Sequence, residues 1–354
     1  MRVIFRVDSS LEIGSGHVMR CLTLAHSLHR NGAEVKFISR EHDGNLIEKI
    51  QLSGFYVYVI QKKRFSMQEN SLSHSKWLGV SQKEDLKDCA HFLEINKPDW
   101  LIVDHYGIDK LWHKNMRNYC KKIMVLDDLA DRNHDCDILL DQTIGRKNDD
   151  YRGLVPDSCK LLLGEKYILL RSEFFNWQKY SLKRRKNPRL NQLLISMGGT
   201  DPTNFTAKIL NSLKDCKFDN KMNLVVILGE KSRYIENIQS LISTLDCNVE
   251  LKINVNNIAE IMANSDYAIG AAGSSNWERC YLGLPSIIFT LAKNQEEISK
   301  ISNQYEIAIT SSVDNLNELC NLIKKLEEKS KNIINNSINL IDGKGNLRIL
   351  RYLK

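Results

Sequence analysis

A histidine directly after two closely spaced glycines is the residue of this chain best suited to proton transfer. The segment Ile13-Gly14-Ser15-Gly16-His17 follows an apolar stretch that ends at Asp8, and an amphipathic stretch comes after it. Glycines allow a tight strand-to-helix turn, and the free N–H groups at the start of a helix favour oxyanions. Imidazole exchanges protons near neutral pH, so the pattern predicts an acid–base role for His17 beside an anion. A turn that binds nothing would need the same glycines, and that alternative stays open.

The turn at Gly14 and Gly16 lacks the third glycine of the dinucleotide-binding fingerprint. The residue three positions after Gly16 is Met19. A nicotinamide or flavin cofactor is therefore not expected, and the sequence predicts no cofactor at all.

A second group of small and hydroxylated residues lies in the C-terminal half. Gly273, Ser274 and Ser275 follow a short apolar stretch, and Glu278 comes three residues later. Orphan N–H groups and hydroxyls at a helix start suit a pyrophosphate. A carboxylate one turn further along could accept hydrogen bonds from the two hydroxyls of a ribose. The alternative is a capping box, with Ser275 as the N-cap and Glu278 as its acidic partner.

Two further turns after apolar stretches contain candidate binding groups. Gly198-Gly199-Thr200-Asp201 suits a phosphate, although Asp201 could equally be the N-cap of the following helix. Asn294 and Gln295 follow another apolar stretch, and their amides could contact sugar hydroxyls or simply begin a helix.

Polar residues also follow apolar stretches in the first half, at Asp8, at Asp104-His105-Tyr106 and at Asp127-Asp128. They could orient His17 or contact a sugar, and they could instead be helix caps and turn formers. The Asp127-Asp128 pair is interpreted as structural because nothing nearby completes a set of metal ligands. No metal site is predicted.

The elements that would position these residues alternate between short β-rich stretches and amphipathic helices, which is typical of parallel sheets flanked by helices. We predict an N-terminal Rossmann-like domain over 1–175 that carries His17 and a C-terminal Rossmann-like domain over 190–345 that binds the nucleotide. A final helix over 346–354 is expected to cross back to the first domain. Ligands bind at the carboxyl ends of strands in such sheets, so the two domains are expected to face each other across a cleft.

The predicted elements can be given by range. The strands lie at 2–7, 34–39, 55–60, 99–104, 122–126 and 137–141, and then at 193–197, 223–228, 249–253, 267–270, 286–290 and 307–310. The helices of the first half lie at 17–31, 44–52, 84–95 and 109–120, and the second half begins its helices near Thr203. Residues 62–82 are predicted as a loop, and the pattern breaks over 167–189.

Composition narrows the class of protein. A chain of 354 residues is longer than one hydrophobic core usually supports, which favours two domains. A composition of 42% apolar and 26% charged residues is typical of a folded protein. Nine cysteines without a C-x-x-C pair favour reduced thiols, and no apolar run approaches about 18 residues, so a cytoplasmic protein with no membrane span is expected.

The net charge of +7 raises the question of nucleic-acid binding. The densest basic run lies within Lys179–Arg189 and has no interleaved aromatic residues beyond Tyr180, so a solvated connector is the preferred interpretation. No nucleic-acid partner is expected. A modest positive charge also suits a small anionic substrate.

Seven short motifs occur in a fixed order along the chain: Arg6-x-Asp8-Ser9-Ser10, Ile13-Gly14-Ser15-Gly16-His17, Asp104-His105-Tyr106-Gly107, Tyr151-x-Gly153-Leu154-Val155-Pro156, Leu170-Arg171-x-Glu173-Phe174, Met197-Gly198-Gly199-Thr200-Asp201 and Asn294-Gln295. In these motifs and their order, the chain resembles the PseG family of UDP-2,4-diacetamido-2,4,6-trideoxy-β-L-altropyranose hydrolases of pseudaminic acid biosynthesis. The resemblance covers nearly the whole chain.

The resemblance implies the glycosyltransferase-B fold, with UDP held by the C-terminal domain and water as the acceptor. It implies that His17 is the general base of an inverting hydrolysis, and that Arg171, Phe174 and Asn294 contact the sugar. The product would be a free sugar used to make nonulosonic acids of bacterial surface glycans. The enzyme is expected to be a monomer or a weak oligomer. The 62–82 loop and the tail beyond about residue 310 are longer than in short members of the family, which leaves a related amino sugar open as substrate.

Three other functions remain compatible with the sequence. A glycosyltransferase of the peptidoglycan N-acetylglucosaminyltransferase type would use an alcohol in place of water. A sugar-nucleotide epimerase would interconvert its substrates, and a non-catalytic protein would only bind a nucleotide sugar.

Overall fold

The computed structural model describes residues 1–63, 72–187, 189–199, 201–216, 222–230 and 232–354, with only the backbone of Asn294. The chain divides into two compact units. The first comprises Met1–Leu169 together with Lys344–Lys354, and the second comprises Leu170–Gly343.

The first unit is built on a seven-stranded parallel sheet with the order β3-β2-β1-β4-β5-β6-β7. Its strands are β1 (Arg2–Val7), β2 (Glu34–Arg40), β3 (Tyr56–Ile60), β4 (Trp100–Asp104), β5 (Lys122–Leu126), β6 (Ile138–Asp141) and β7 (Lys160–Leu163). Central β1 is buried from Val3 to Val7, as expected for a parallel strand covered on both faces. The reversal of strand order beside β1 places the carboxyl ends of β1 and β4 at a topological switch point, where ligands of such sheets bind.

Helices cover both faces of this sheet: α1 (Gly16–Arg30), α2 (Ile47–Leu52), α3 (Gln82–Asn96), α4 (Lys110–Met116) and a terminal helix over Gly345–Leu353. Alternate residues of β1 enter different cores, Phe5 with Leu24 of α1 on one face and Ile4 with Leu93 of α3 on the other. This alternation is the two-residue period of a strand.

The terminal helix is an integral part of the first unit. The indole nitrogen of Trp100 donates to the carbonyl of Leu353 at 3.0 Å, and the Asn346 amide donates to Ser27 at 3.0 Å. At Gly345 a Cβ atom would lie 2.1 Å from the carbonyl oxygen of Ile168, so the close approach requires glycine.

The second unit contains a six-stranded parallel sheet with the order β10-β9-β8-β11-β12-β13. Its strands are β8 (Gln192–Ser196), β9 (Asn223–Leu228), β10 (Asn248–Ile253), β11 (Tyr267–Ala271), β12 (Ser286–Thr290) and β13 (Ile309–Ser312). Its helices are α5 (Ser172–Arg184), α6 (Phe205–Leu213), α7 (Ile235–Ile242), α8 (Ile258–Asn264), α9 (Ser275–Tyr281), α10 (Glu296–Gln304) and α11 (Leu319–Leu340), so that the terminal helix is α12.

The segment predicted to break the pattern contains a helix. Residues 172–184 form α5, and the basic run predicted as a solvated connector is the end of this helix and the residues after it. Arg184 pairs with Asp266 at 2.6 Å. The Arg185 side chain is buried and donates to the carbonyls of Met262 and Ser265. The connector interpretation is wrong because these arginines hold α5 against the end of α8.

Three smaller differences separate the structure from the expectations. Strand β7 was not predicted. Cys216 and Cys320 form a disulfide, so the expectation of reduced thiols is wrong for this pair. Within the predicted 62–82 loop, residues 64–71 lie outside the described residues, whereas Ser75–Leu78 form a 3-10 helix.

Candidate active site

His17 is the second residue of α1, which begins just after the carboxyl end of β1. The intervening loop folds on itself: the Ser10 hydroxyl accepts from the backbone N–H groups of Glu12 and Ile13, and the Gly14 N–H donates to the Ser10 carbonyl. Gly14 has a φ of +77°, which a side chain would disfavour. The predicted glycine turn therefore delivers His17 to the start of α1.

A short contact with a buried carboxylate fixes the His17 ring. His17 Nδ1 lies 2.6 Å from Asp104 Oδ1 at the end of β4. Burial alone would raise the pKa of Asp104, but the charge of Arg20 and the hydrogen bonds from Arg20 and His17 outweigh it and hold that pKa well below its ordinary value. An ionised carboxylate can only accept, so in the neutral imidazole Nδ1 carries the proton and donates, which leaves Nε2 as an acceptor. This is the tautomer that a general base needs.

Arg20 connects this pair to a second carboxylate. Its Nε and Nη2 donate to the two oxygens of Asp104 at 2.6 and 2.7 Å, and its Nη1 donates to Asp128 at 2.5 Å. The Tyr106 hydroxyl donates to the same Asp128 oxygen at 2.7 Å. We call His17, Asp104, Arg20, Asp128 and Tyr106 the His17 network.

Aromatic rings surround the imidazole of His17. The Tyr106 ring lies edge-on with a centroid distance of 4.5 Å, and Trp77 is 6.1 Å away in a similar orientation. Trp77 and Tyr106 stack on each other at 5.6 Å, and His74 packs against both, at centroid distances of 4.6 and 5.5 Å. Sequence reasoning missed Trp77 and His74, and a tryptophan within the polar 62–82 stretch was the signal that could have found them.

Asp8 and His105, two predicted site residues, belong to a different network. Asp8 is fully buried, pairs with Arg6 at 2.5 Å and accepts the backbone N–H of Arg40. His105 Nε2 lies 3.3 Å from Asp8, and Arg6 and Arg40 both bind Asp85. The contacts of Asp8 and His105 among the described residues thus join them to buried ion pairs and not to the His17 network.

Next to the His17 network, Asp127 and Asp141 form a further buried acidic group. The Tyr151 hydroxyl lies 2.8 Å from a carboxylate oxygen of each, and Arg132 pairs with Asp127 at 2.8 Å. Burial and the neighbouring charge of Asp128 raise the pKa of Asp141 to about 7, although Arg146 opposes the shift. The described partners of Asp127 all belong to the first unit. Asp128, which was interpreted together with Asp127 as structural, is instead a member of the His17 network.

In the second unit, Gly198 and Gly199 follow β8. Gly198 has a φ of +100°, and Gly199 approaches Gly229 so closely that a Cβ atom there would lie 2.2 Å from the Gly199 carbonyl oxygen. Thr200 lies outside the described residues. Asp201 is buried and accepts from the backbone N–H groups of Phe205 and Thr206 at 2.9 Å, so its side chain caps α6, although the N-cap residue is Asn204 and not Asp201.

Gly273 and Ser274 lie between β11 and α9, and Ser275 begins the helix. A Cβ atom at Gly273 would meet nothing within 4 Å, so open space lies beside this turn. The helix cap is Ser274, and it makes no side-chain capping bond. The capping-box alternative for Ser275 and Glu278 is therefore wrong.

Glu278 is instead paired with an arginine from far along the chain. Arg171 Nε and Nη2 donate to the two Glu278 oxygens at 2.7 and 2.9 Å. The Arg171 guanidinium lies 5.0 Å from the centroid of the buried Phe174 ring. We call Arg171, Phe174 and Glu278 the Arg171 clamp, which brings together three predicted site residues. A carboxylate that accepts two hydrogen bonds from one guanidinium still has free lone pairs for hydroxyl donors.

Asn294 and Gln295 lie in the 3-10 helix Lys293–Gln295. The Gln295 side-chain oxygen accepts from the backbone N–H of Leu291 at 2.9 Å and so closes the turn after β12. Among the described residues, no three His, Cys, Asp or Glu side chains are arranged to hold a metal ion. Within the same residues, every helix is too short or too polar to cross a bilayer.

Comparison with known proteins adds to this geometry. Residues 193–346 match the family model for the glycosyltransferase family 28 C-terminal domain. The chain is 30% identical over 302 residues to the uncharacterized protein MJ1062 of Methanocaldococcus jannaschii, covering 84% of this chain and 57% of that protein. The chain thus spans little more than half the length of this relative.

Two other known proteins are matched over nearly their whole length. The chain is 29% identical over 297 residues to the UDP-2,4-diacetamido-2,4,6-trideoxy-beta-L-altropyranose hydrolase of Campylobacter jejuni, covering 84% of this chain and 94% of that protein. The crystal structure of Acinetobacter baumannii MurG superimposes with a TM-score of 0.70 at 12% identity over 99% of both chains. The predicted fold class, an α/β glycosyltransferase-B fold with two parallel sheets, is confirmed.

Proposed function

We propose that this chain is a nucleotide-sugar enzyme that hydrolyses a UDP-linked diacetamido-trideoxy hexose at its anomeric carbon. The products are UDP and a free sugar of inverted configuration, which would serve pseudaminic acid biosynthesis. The observation that carries the proposal is the contact of His17 Nδ1 with Asp104, which leaves Nε2 as a proton acceptor. The similarity to the Campylobacter jejuni hydrolase supports water as the acceptor.

In the proposed reaction, His17 Nε2 takes a proton from a water molecule whose oxygen attacks the anomeric carbon. The bond between that carbon and the diphosphate oxygen breaks, and the electron pair leaves with UDP. Asp104 stabilises the imidazolium that forms, and the proton then passes to solvent. A single displacement of this kind inverts the anomeric centre.

The second unit would hold the leaving group. Backbone N–H groups at Gly198, Gly199 and the turn before α9, with the hydroxyls of Ser274 and Ser275, suit the diphosphate. Glu278, already oriented by Arg171, would accept from the ribose hydroxyls. Asn294 and Gln295 remain candidates for the sugar. This mechanism requires neither a metal nor a cofactor.

The test is proton NMR of the purified full chain with candidate UDP-diacetamido-trideoxy hexoses in water. We expect loss of the UDP-sugar signal and appearance of free sugar, first as a single anomer of inverted configuration. Consumption only after an alcohol acceptor is added would instead establish a glycosyltransferase, the alternative favoured by the family 28 match. Interconversion of two UDP-sugars would establish an epimerase.

A further inference from the structure

Arg279 is a buried cation next to the turn between β11 and α9. Its side chain is 1% exposed. Nη2 donates to the carbonyl of Ala271 at 3.1 Å and to Asn276 Oδ1 at 3.4 Å, Nη1 donates to the Ser275 hydroxyl at 3.3 Å, and Nε has no hydrogen-bond partner. Within the described part of the chain, none of the ion pairs involves Arg279.

The neighbouring backbone makes room for this charge. At Gly270, in β11, a Cβ atom would lie 2.6 Å from Arg279 Nη1, so a larger residue would displace the guanidinium. Burial lowers the pKa of Arg279 to about 10, which still leaves it charged at neutral pH. The guanidinium thus bridges the end of β11 and the first residue of α9, the two ends of the Gly273 turn.

Arg185 provides a contrast within the same unit, because it is also buried but its charge is met by several acceptors. It donates to the carbonyls of Met262, Ala263 and Ser265 at the end of α8, where the helix dipole is negative. These residues precede β11, whereas Arg279 lies at the carboxyl end of that strand. Nε has no hydrogen-bond partner in either arginine, but Arg279 makes fewer and longer hydrogen bonds than Arg185 does.

We propose that Arg279 is a positioning residue that fixes the Gly273–Ser275 turn and adds positive charge behind it for a nucleoside diphosphate. It acts through Ala271 and Ser275 and not by touching the ligand. A charge in a low-dielectric interior attracts an anion more strongly than an exposed charge does. The inference rests on the proposed function, because it needs a diphosphate at this turn.

The test is calorimetric titration of the full chain with UDP and with uridine, which lacks the phosphates. Arg279→Gln keeps a donor for Ala271 but removes the charge, and Arg279→Lys keeps the charge. We expect Arg279→Gln to weaken UDP binding by about tenfold or more and uridine binding by less than about twofold, with Arg279→Lys recovering most of the UDP affinity. Arg185→Gln, the matched control, should not change the ratio of the two affinities.

Equal losses for UDP and uridine in Arg279→Gln, or equal damage by the lysine variant, would overturn the inference and leave the proposed function intact. If wild type binds UDP no better than uridine, both fail together. Should Arg279→Gln not fold by circular dichroism, Arg279→His replaces it. The measured quantity is then the ratio of UDP affinity to uridine affinity in this variant, divided by the same ratio in wild type at the same pH. This value must decrease as the imidazole deprotonates between pH 5.5 and 8.5, and an unchanged value refutes the inference.

Discussion

The carboxyl edges of the two parallel sheets are built in opposite ways. The first unit fills this edge with paired charges, so that Asp104, Arg20 and Asp128 hold His17 in one orientation. In the second unit, glycines and serines follow β8 and β11, and the charged group described beside them is Arg171 with its partners Glu173 and Glu278. Similar sheet topologies therefore carry different residue types at this edge, and under the proposed function these residues would do different chemistry.

The difference has a physical basis. A histidine that acts as a base must keep one ring orientation and one tautomer. Buried charge-assisted hydrogen bonds fix both, at the cost of desolvating the charged groups that form them. A diphosphate brings its own charge, so its site needs donors and space more than fixed counter-charges. Four predictions test this contrast, from the largest expected effect to the smallest.

The first prediction concerns the base. His17→Ala should lower turnover by about 10² to 10⁴, roughly 3 to 5 kcal/mol of barrier, because general-base catalysis is lost. UDP affinity should barely change, since the nucleotide is assigned to the second unit. Steady-state rates and UDP titration measure both, and a variant that keeps more than a tenth of wild-type turnover removes His17 from this role.

The second prediction concerns the residue that orients the base. Asp104→Asn should lower turnover by about 10²-fold or more, because an amide can present a donor to Nδ1 and stabilise the wrong tautomer. Its effect should appear in kcat and not in KM. Asp128→Asn, one step further along the network, is the graded control and should cost less. Similar losses in kcat for both variants would mean that the network acts as general scaffolding.

The third prediction concerns the Arg171 clamp. Glu278→Gln should weaken UDP binding by about tenfold, that is about 1.4 kcal/mol, if Glu278 accepts from ribose hydroxyls. Binding of 2′,3′-dideoxy-UDP should change much less. Calorimetric titration of both ligands is the measurement. If both lose affinity equally, Glu278 serves only as the partner of Arg171.

The fourth prediction concerns pH. The pKa of Asp141 is raised to about 7 in the folded chain, so the native state holds a proton that the unfolded state releases above about pH 4. Stability from this group is therefore present at low pH and decreases as pH rises through about 7. Asp141→Asn cannot ionise, so its stability relative to wild type should rise by about 1 kcal/mol per pH unit between pH 5 and 7.

Urea unfolding at several pH values measures this difference. The same substitution at the exposed Asp157 is the control and should show no such trend. A flat difference between Asp141→Asn and wild type would show that Asp141 is ionised in the folded chain throughout this range.

The strands were predictable from the sequence because buried parallel strands are continuous apolar stretches with polar ends. Twelve were placed within a few residues, whereas four-residue β7 and helix α5 were missed. Helix α5 has only two fully buried residues, Phe174 and Ser181, too few for a clear apolar period. The glycine turn before His17 was also found, since local backbone geometry determines it.

Long-range partners were not predictable. Ser81 and Glu84 form a true capping box, whereas Ser275 and Glu278, with the same spacing, do not. The difference is Arg171, which lies 107 residues before Glu278 and offers two charge-assisted bonds. Likewise, Asp104 is 87 residues from His17, and only the pairing of β1 with β4 brings them together.

The position of α12 has a consequence for biosynthesis. The residues that complete the first unit are synthesised only after the whole of Leu170–Gly343. Domains commonly fold in order of synthesis, but here the core on the α1 face of the first sheet lacks Ile349 and Leu353 until the end of translation. A chain truncated just before α12 and released from the ribosome would therefore contain all of the second unit and an incomplete first unit.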